Sequence, residues 1–406
     1  MSHSHTHVPL DETVPADRTL VAILGGVVAL IAVATALGMV LLWPADVPHG
    51  PNPYAGPNVS RVEGTVTAVA AFDCGSTGIG PDNTPMVEGD CAKVTARLAS
   101  GDSAEFTLDP TRFVGGGMQE GDEVKLIRIE PDGQPVTYEF YDFERGVPLV
   151  VLAAVFAVVV AAVGRLRGVF ALVGIGVTLL ALAKFVLPAL LAGEPAIPVA
   201  VVGSTAIMLC VLYLAHGVSV RTTSALFGTL FGIAFTAAAG LAATDWSHLT
   251  GVGDENDHLL VATAPTLSLS GVVAASMVIA GLGVLNDVTV TQASAVWEMR
   301  ALKPAARGWE IFGSAMRIGR DHIASSVYTL VFAYAGSAMT IMLLITAYQR
   351  GWAEIATSEQ IAQEVVRTLV GAIGLVLAVP VTTLIAVGLS RSAGTDAGAR
   401  AMVGSD

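Results

Sequence analysis

The sequence predicts an all-α polytopic membrane protein of about eight transmembrane helices, with a small β-barrel or β-sandwich domain inserted on the extracytoplasmic side. Three observations predict this class. The 406 residues are 53% hydrophobic and only 14% charged, roughly half the charge of an average soluble domain. Apolar residues form runs long enough to cross a bilayer. A polar stretch of period-two alternation separates the first run from the others.

The composition excludes several classes of protein. A chain this poor in charge cannot cover the surface of one or two soluble domains, so a soluble enzyme and a disordered chain are both excluded. The 34 acidic and 21 basic residues give a net charge of −13, which argues against a nucleic-acid partner. The expected partner is a lipid bilayer.

Eight apolar runs are candidates for transmembrane helices, because a hydrocarbon core of ~30 Å requires about 20 apolar residues in a helix. The runs are 20–43, 147–163, 169–192, 198–215, 225–243, 267–294, 325–348 and 365–389. The predicted domains are therefore an N-terminal tail at 1–19, a first helix at 20–43, a β domain at 45–146, a seven-helix domain at 147–389 and a C-terminal tail at 390–406.

Positive charge predicts the orientation of the spans. Eleven basic residues flank the runs on one side of the predicted membrane: Arg18, Arg165, Arg167, Arg221, Arg300, Lys303, Arg307, Arg317, Arg320, Arg391 and Arg400. The short loops on the opposite side contain only Arg350. Since Lys and Arg mark cytoplasmic loops, both termini are predicted to be cytoplasmic and the β domain to be extracytoplasmic.

The β domain is predicted from alternating apolar and polar residues. The alternation covers 62–68, 94–98, 104–108 and 136–140, and a fifth run at 124–129 changes phase between Leu126 and Ile127, as at a β-bulge. Turns are predicted at 100–102, 120–122 and 131–133. Five short strands of this kind indicate a small barrel or sandwich, with an OB-like barrel as one option.

Two of the three cysteines lie in the predicted β domain. An oxidising exterior favours a disulfide between Cys74 and Cys91, with two free thiols as the alternative. No regular metal-ligand spacing occurs in the acidic loop between them, and we expect no metal site and no cofactor.

Four segments of the apolar region carry a family resemblance. They are His216-Gly217 with Thr222, Thr223, Gly228 and Thr229; residues 281–294, which read GLGVLNDVTVTQAS; residues 319–322 with Ala333, Tyr334 and Gly336; and residues 364–367 with Gly371, Gly374 and Pro380. They resemble the YibE/F family of bacterial membrane proteins, over about 61–389. The resemblance implies a bacterial cell-membrane location and a transporter or permease. It carries over no catalytic or ligand residues.

The sixth run places a carboxylate on a polar helical face. Spacings of three and four residues align the face, which comprises Ser276, Ala280, Gly283, Asp287, Thr291, Ser294 and Glu298. An ionised Asp in hydrocarbon costs about 2.5–3.5 kcal/mol on insertion scales, so Asp287 should be paired, solvated or protonated. We expect its side chain to face the protein interior, close to Arg320, His322 or His216.

The polar face allows two interpretations. Asp287 can exchange a proton during transport, or the nearby Asn286, Thr289, Thr291 and Ser294 can help it to coordinate Na⁺. The alternative is a polar packing stripe that joins helices without further function.

A second charge within a run is Lys184. It lies too far along its helix to reach Asp287, and it either extends toward the membrane surface or approaches Glu364. For Glu364, an ion pair with Arg367, three residues later, is the local alternative.

The function predicted from these residues is secondary transport of an unknown small solute, coupled to H⁺ or Na⁺. The alternative is a non-transporting scaffold or sensor whose extracytoplasmic domain binds a partner or envelope component. Nucleophile elbows, phosphate-binding loops and metalloprotease motifs do not occur in the sequence, so no enzymatic activity is expected.

Overall fold

The computed structural model describes residues 18–48, 50, 56, 58–75, 88–253, 255–347 and 351–392. Residues 1–17 of the predicted N-terminal tail, residues 393–406 of the predicted C-terminal tail, and Arg350 lie outside the described residues. The chain forms two compact units, Met1–His49 with Val160–Asp406, and Gly50–Val159. We call them the helical unit and the β unit and describe each by itself.

The β unit contains the five predicted strands. They are β1 (Val59–Phe72), β2 (Cys91–Leu98), β3 (Ser103–Leu108), β4 (Glu123–Ile129) and β5 (Thr137–Phe143). They form one antiparallel sheet in the order β3-β2-β1-β4-β5. The two edge strands, β3 and β5, contact each other, so the sheet curls.

The core of the sheet follows from the alternation in the sequence. Every second residue of β2 and β3 is buried on one face, including Val94, Phe106 and Leu108, because successive side chains of a strand point to opposite faces. The predicted phase change in β4 appears in the burial of its residues, but the bulge itself lies in β5: β4 pairs with β1 in unbroken register, and its pairing with β5 skips Tyr141. Its register with β5 shifts between Lys125 and Leu126, and Leu126 and its neighbour Ile127 are both buried.

The β unit also contains a disulfide and a short helix. The predicted disulfide between Cys74 and Cys91 is confirmed. A short helix that the sequence analysis did not predict, α2 (Pro110–Gly116), connects β3 to β4. Asp109 caps it by accepting a hydrogen bond from the Arg112 amide at 3.0 Å, and Pro110 occupies its first turn, where a missing N–H costs nothing.

The helical unit and the segment that leads into it contain eleven α-helices and one π-helical turn, counted over the described residues. They are α1 (Arg18–Leu41), α3 (Gly146–Ala181), the π-turn Leu182–Val186, α4 (Leu187–Leu191), α5 (Ala196–His216), α6 (Val220–Trp246), α7 (Glu255–Thr263), α8 (Leu269–Leu302), α9 (Gly308–Ser337), α10 (Met339–Ala347), α11 (Trp352–Ala356) and α12 (Glu359–Ser392).

Six helices of the described chain are long and apolar enough to cross a membrane, whereas the sequence analysis predicted eight spans. They are Arg18–Leu41, Gly146–Leu191, Ala196–His216, Val220–Trp246, Leu269–Leu302 and Glu359–Ser390. The difference has two sources. Two predicted spans, 147–163 and 169–192, lie in the one stretch Gly146–Leu191, which contains two helical segments joined by a sharp break at Arg165. The predicted span at 325–348 is divided between α9 and α10 by a break at Ala338.

The long helix Gly146–Leu191 is interrupted at Arg165. This residue has φ 52° and ψ −138°, which is not helical. A Cβ atom placed on Gly168 would lie 2.2 Å from the Val160 carbonyl oxygen, whereas eight residues of straight helix extend about 12 Å. The chain therefore folds back sharply between these two residues, and only glycine fits at the contact.

The π-turn Leu182–Val186 marks a change in which residues of this helix are buried. Phe185 and Val186 are buried and pack with α5, and the Phe185 ring stacks on Trp43 with 5.9 Å between the centroids. Before the turn, Leu179 and Leu180 are exposed. The turn thus separates an exposed helical segment from a packed one.

Helix α6 packs closely against α8 and α12 because glycines lie at the crossings. A Cβ atom on Gly228 would lie 1.9 Å from Thr382 Oγ1 of α12, and one on Gly232 would lie 2.6 Å from Leu285 of α8. Between apolar helices in lipid, close packing of this kind replaces the hydrophobic driving force of soluble proteins. Gly228 and Gly232 therefore set the distance between the three helices.

We predict that Gly228→Ala destabilises the helical unit by about 1–3 kcal/mol through overpacking against Thr382. The matched control is Gly283→Ala in α8, where the added Cβ meets nothing within 4 Å and alanine is the better helix former. Thermal unfolding of the purified protein in detergent should show a lower midpoint for Gly228→Ala and an unchanged or higher one for Gly283→Ala. Equal midpoints for the two variants would contradict the packing argument.

Charged pairs on the β unit give its stability a pH dependence. Lys125 donates to Glu144 at 2.5 Å, and this hydrogen bond is the main cause that lowers the pKa of Glu144 below its ordinary value of 4.5. Arg145 lowers the pKa of Asp142 in the same way. A carboxyl group with a lowered pKa stabilises the folded state above its ordinary pKa, and that contribution is lost as the pH falls through the lowered value.

We therefore predict that Glu144→Gln weakens the β unit at pH 7 and that this effect shrinks as the pH falls through the lowered pKa of Glu144, where the wild-type carboxyl loses its charge as well. Hydrogen–deuterium exchange of the β4 and β5 amides in the full-length protein measures this, with wild type and variant compared at each pH. Glu120→Gln is the control, because Glu120 is exposed and its side chain forms no ion pair or hydrogen bond with the described residues. A difference between wild type and Glu144→Gln that stays the same at every acidic pH at which the protein remains folded would contradict the assignment.

Candidate functional site

Five fully buried polar side chains meet where α6, α8 and α12 cross. Each is at most 1% exposed, and we call the group the polar seam. It consists of Thr229 of α6, Thr289 and Gln292 of α8, and Thr382 and Thr383 of α12. An uncharged polar group buried without a hydrogen bond costs a few kcal/mol, so a cluster of this kind must satisfy its own donors and acceptors.

Hydrogen bonds of the polar seam connect four helices. Thr229 Oγ1 and Thr289 Oγ1 lie 2.8 Å apart. The Gln292 side-chain amide donates to Thr383 Oγ1 at 2.8 Å and to the Ala315 carbonyl of α9 at 3.0 Å. Gly319 of α9 makes room for this amide, since a Cβ atom there would lie 2.9 Å from Gln292 Oε1.

Each threonine hydroxyl of the polar seam also has an acceptor within its own helix, and of the pair Thr229 and Thr289 one donates to its own helix while the other donates across to its partner. The hydroxyls bond to the carbonyl four residues earlier: Thr229 to Ala225, Thr289 to Leu285, Thr382 to Ala378 and Thr383 to Val379. A hydroxyl has one proton but two acceptor lone pairs. The bond between Thr229 and Thr289 can therefore break without leaving a hydroxyl proton unsatisfied. The side-chain amide of Gln292, in contrast, donates to α9 and α12 and has no donor bond within its own helix.

The predicted polar face of α8 points away from this seam. Asp287 and Glu298 are exposed, and Thr291 and Ser294 are half-buried. The prediction that Asp287 faces the protein interior is wrong. Because each residue turns a helix by about 100°, Thr289 and Gln292 point toward α6 and α12 while Asp287 points roughly opposite.

No cationic partner joins Asp287 in the described part of the chain. Arg320 is exposed, His322 is half-buried, and neither forms an ion pair or hydrogen bond with Asp287. Gln292 contacts Ala315, and α8 and α9 run antiparallel about this contact. Asp287 and Arg320 are each five residues from it, about 7.5 Å. They therefore lie at a similar height but on different faces.

Asn286, unlike the exposed Asp287 next to it, has a buried side-chain oxygen. Its side-chain Oδ1 atom is buried and has no hydrogen-bond partner within the residues that the structure describes. A buried amide oxygen without a donor costs about 1–3 kcal/mol. It is a free oxygen ligand on the helix that carries Thr289 and Gln292.

Two predicted residues, His216 and Ser294, do come together. They line a small crevice of about 20 Å³ between α5, α6 and α8, together with Arg221, Thr222, Ala225 and Val290. We call it the junction crevice. The sequence analysis placed His216 near Asp287, and the structure places it beside Ser294, two helical turns further along α8.

The remaining predicted residues form no site with Asp287. Lys184 is exposed in the π-turn and forms no ion pair or hydrogen bond through its side chain with the residues that the structure describes. Glu364 pairs with Arg367, three residues later, so the predicted local ion pair is confirmed and the alternative contact with Lys184 is not formed. Among the described residues, no group of three or more His, Cys, Asp or Glu side chains is arranged to hold a metal ion.

The sequence analysis missed the polar seam except for Thr289, which was named only as a neighbour of Asp287. The sequence nevertheless contains a signal for the polar seam. Thr382-Thr383 and Gln292 interrupt apolar runs, and Thr289 and Gln292 are spaced to share one face of α8. The analysis followed the charged face instead, because a carboxylate in a span is the stronger functional signal.

We predict that Gln292→Met keeps the fold, because the unbranched side chain fills a similar volume and both hydrogen-bond partners stay satisfied. Thr383 still donates to Val379, and the Ala315 carbonyl lies within α9. The free energy of unfolding should fall by no more than about 1.5 kcal/mol. Gln292→Ala should lower it by about 2–4 kcal/mol, since it leaves a cavity. Unfolding in detergent checks both, and equal losses would show that the hydrogen bonds themselves hold the helices together.

Comparison with known proteins identifies the helical unit. A family model described as YibE/F-like protein matches residues 152–391, which is more than half of the chain. All residues of the polar seam and the junction crevice lie inside the match, whereas β1–β5 lie outside it. The sequence resemblance, taken from residue 61, extends further than the matched region. Neither a curated protein nor a solved structure matches this chain.

Proposed function

Since the chain belongs to the YibE/F-like family, we propose that it is a secondary transporter of a small solute in the bacterial cell membrane, coupled to H⁺ or Na⁺. The observation that carries the proposal is the polar seam, in which hydrogen bonds from Gln292 connect α8 to α9 and α12 inside an apolar unit. Buried polar groups within candidate spans are expensive, and in membrane proteins they commonly mark functional pathways.

The seam suits helices that move against each other. Its interhelical bonds are neutral, and its threonines keep acceptors within their own helices. Breaking such a bond costs far less than separating a buried ion pair, which leaves an uncompensated charge. Alternating access requires movement of this kind between groups of helices.

In this proposal Asp287 is the coupling carboxylate. It is exposed, is not fixed by an ion pair, and lies on the same helix as Gln292, so a change in its charge acts directly on α8. Na⁺ can use the unsatisfied Asn286 oxygen as one ligand, since hard cations prefer oxygen.

The proposed orientation places the α5–α6 and α8–α9 connections in the cytoplasm, because they carry Arg221, Lys303 and Arg307. Both termini are then cytoplasmic as well, and the β unit is extracytoplasmic. The disulfide between Cys74 and Cys91 agrees with this orientation, since disulfides persist in oxidising compartments.

We predict that Asp287→Asn abolishes ion movement coupled to solute and that Gln292→Met reduces it strongly while the protein stays folded. Proteoliposomes containing a pH- or Na⁺-sensitive dye, challenged with a panel of small solutes under an imposed ion gradient, measure this. Glu298→Gln is the control, because Glu298 is an exposed carboxylate on the same face of α8 and should change the rate by less than about twofold.

Retention of coupled ion movement by Asp287→Asn would refute the coupling role, and solute movement without any ion dependence would refute secondary transport.

A second candidate function is favoured by the β unit. Its strand order, the contact between β3 and β5 and the helix between β3 and β4 support an OB-like barrel, a fold that binds oligosaccharides and oligonucleotides. An open cleft of about 270 Å³ lies on it, lined by Glu63, Thr65, Arg97, Glu123 and Glu144, among others. Under this candidate the protein is a scaffold or sensor for an envelope component, and Asp287→Asn leaves partner capture unchanged.

A further inference from the structure

The junction crevice brings cationic and hydroxyl groups from three helices to one point. His216 ends α5, Arg221 and Thr222 lie in the first turn of α6, and Ser294 comes from α8. Ala225 and Val290 complete the lining. The crevice therefore combines a guanidinium, an imidazole and two hydroxyls with an apolar remainder.

The charge at the crevice is positive and is not neutralised. Arg167 and Arg221 both lie close enough to His216 to act on it electrostatically, and within the described chain none of the three forms an ion pair. No carboxylate lines the crevice. The acidic residues of α8, Asp287 and Glu298, lie seven and four residues from Ser294, about 10 and 6 Å along the axis.

Helix α6 adds to this positive potential. It is 27 residues long and begins at the crevice, where Ser219 caps it by accepting from the Thr222 amide at 3.1 Å. The start of a helix carries a partial positive charge of roughly half an elementary unit. Together with Arg221 it favours an anion, and the same charges repel a metal cation.

The volume of the crevice limits how much of an anion can enter it. A cavity of about 20 Å³ accepts one water-sized group, since about 10–15 Å³ is the minimum for a water molecule. A phosphate group can insert one oxygen beside the Ser294 hydroxyl while its other oxygens meet the half-buried Arg221 and the exposed His216. The Thr222 hydroxyl already contacts Ser219 Oγ at 2.9 Å and the His216 carbonyl at 3.5 Å, so it lines the crevice without being needed as a donor. Arginine is suited to this role because its planar fork matches phosphate oxygens.

We propose that the junction crevice is a binding site for a phosphate group, supplied either by the headgroup of an anionic phospholipid or by a free phosphate compound. The proposal does not depend on transport, because it rests on the residues around the crevice and not on Asp287 or the polar seam.

The test measures phosphate binding directly on the full-length protein in detergent. Native mass spectrometry compares phosphatidylglycerol, which is anionic, with zwitterionic phosphatidylcholine, and calorimetry measures inorganic phosphate. The variants are Arg221→Gln, which removes the guanidinium, and Ser294→Val, which removes a hydroxyl from a different helix and fills the crevice. Arg317→Gln is the control, because Arg317 is an exposed arginine of α9 that bonds only Ser314 and its loss changes the net charge equally.

Arg221→Gln should weaken binding of at least one phosphate probe about tenfold or more, the usual effect of losing a hydrogen bond to a charged group. Ser294→Val should also weaken it, and Arg317→Gln should change it by less than about twofold. Loss for phosphatidylglycerol alone identifies a lipid site, and loss for inorganic phosphate identifies a site for free phosphate compounds.

Equal effects of Arg221→Gln and Arg317→Gln would overturn the proposal, as would wild-type protein that binds neither probe. If Arg221→Gln does not fold, unchanged binding in Ser294→Val overturns it. Loss of coupled transport in Asp287→Asn with phosphate binding intact would separate this site from the proposed coupling group.

Discussion

The close approach of α6 to α8 and α12 is the constraint on which the rest of the helical unit depends. Between helices in lipid the hydrophobic effect does not drive association. Glycine instead permits close backbone packing, and hydroxyl groups form directional hydrogen bonds between the helices. Gly228 lies against Thr382, Gly232 against Leu285, and Gly319 leaves room for the Gln292 amide. These contacts determine which face of α8 is buried, and therefore also which face carries Asp287 outward.

Local patterns predicted most of the β unit. All five strands, the phase change in β4 and the disulfide followed from alternation, turn residues and cysteine content, because each depends on residues near in sequence or on a single available pairing. Helix α2 was missed since its seven residues are too few to show a helical period. The Glu364–Arg367 pair was predicted for the same local reason.

The candidate site could be predicted less well. A helical period groups Asp287 with Thr291 and Ser294, and it groups Thr289 with Gln292, but it does not say which group meets other helices. That depends on the shape of α6 and α12, and thus on contacts more than 50 residues apart, such as Thr229 with Thr289. The sharp bend at Arg165 could not be predicted from the sequence either, because a non-glycine residue with positive φ has no signature in the composition.

The π-turn at Leu182–Val186 has a consequence for how the family can vary. A π-turn accommodates one residue more than the α-helix around it, so it rotates everything beyond it by about 100°. Deleting a single residue there would restore a regular helix. It would also rotate Phe185 out of its contacts with Trp43 and α5. Relatives should therefore tolerate exchanges of apolar residues in this segment far better than changes in its length.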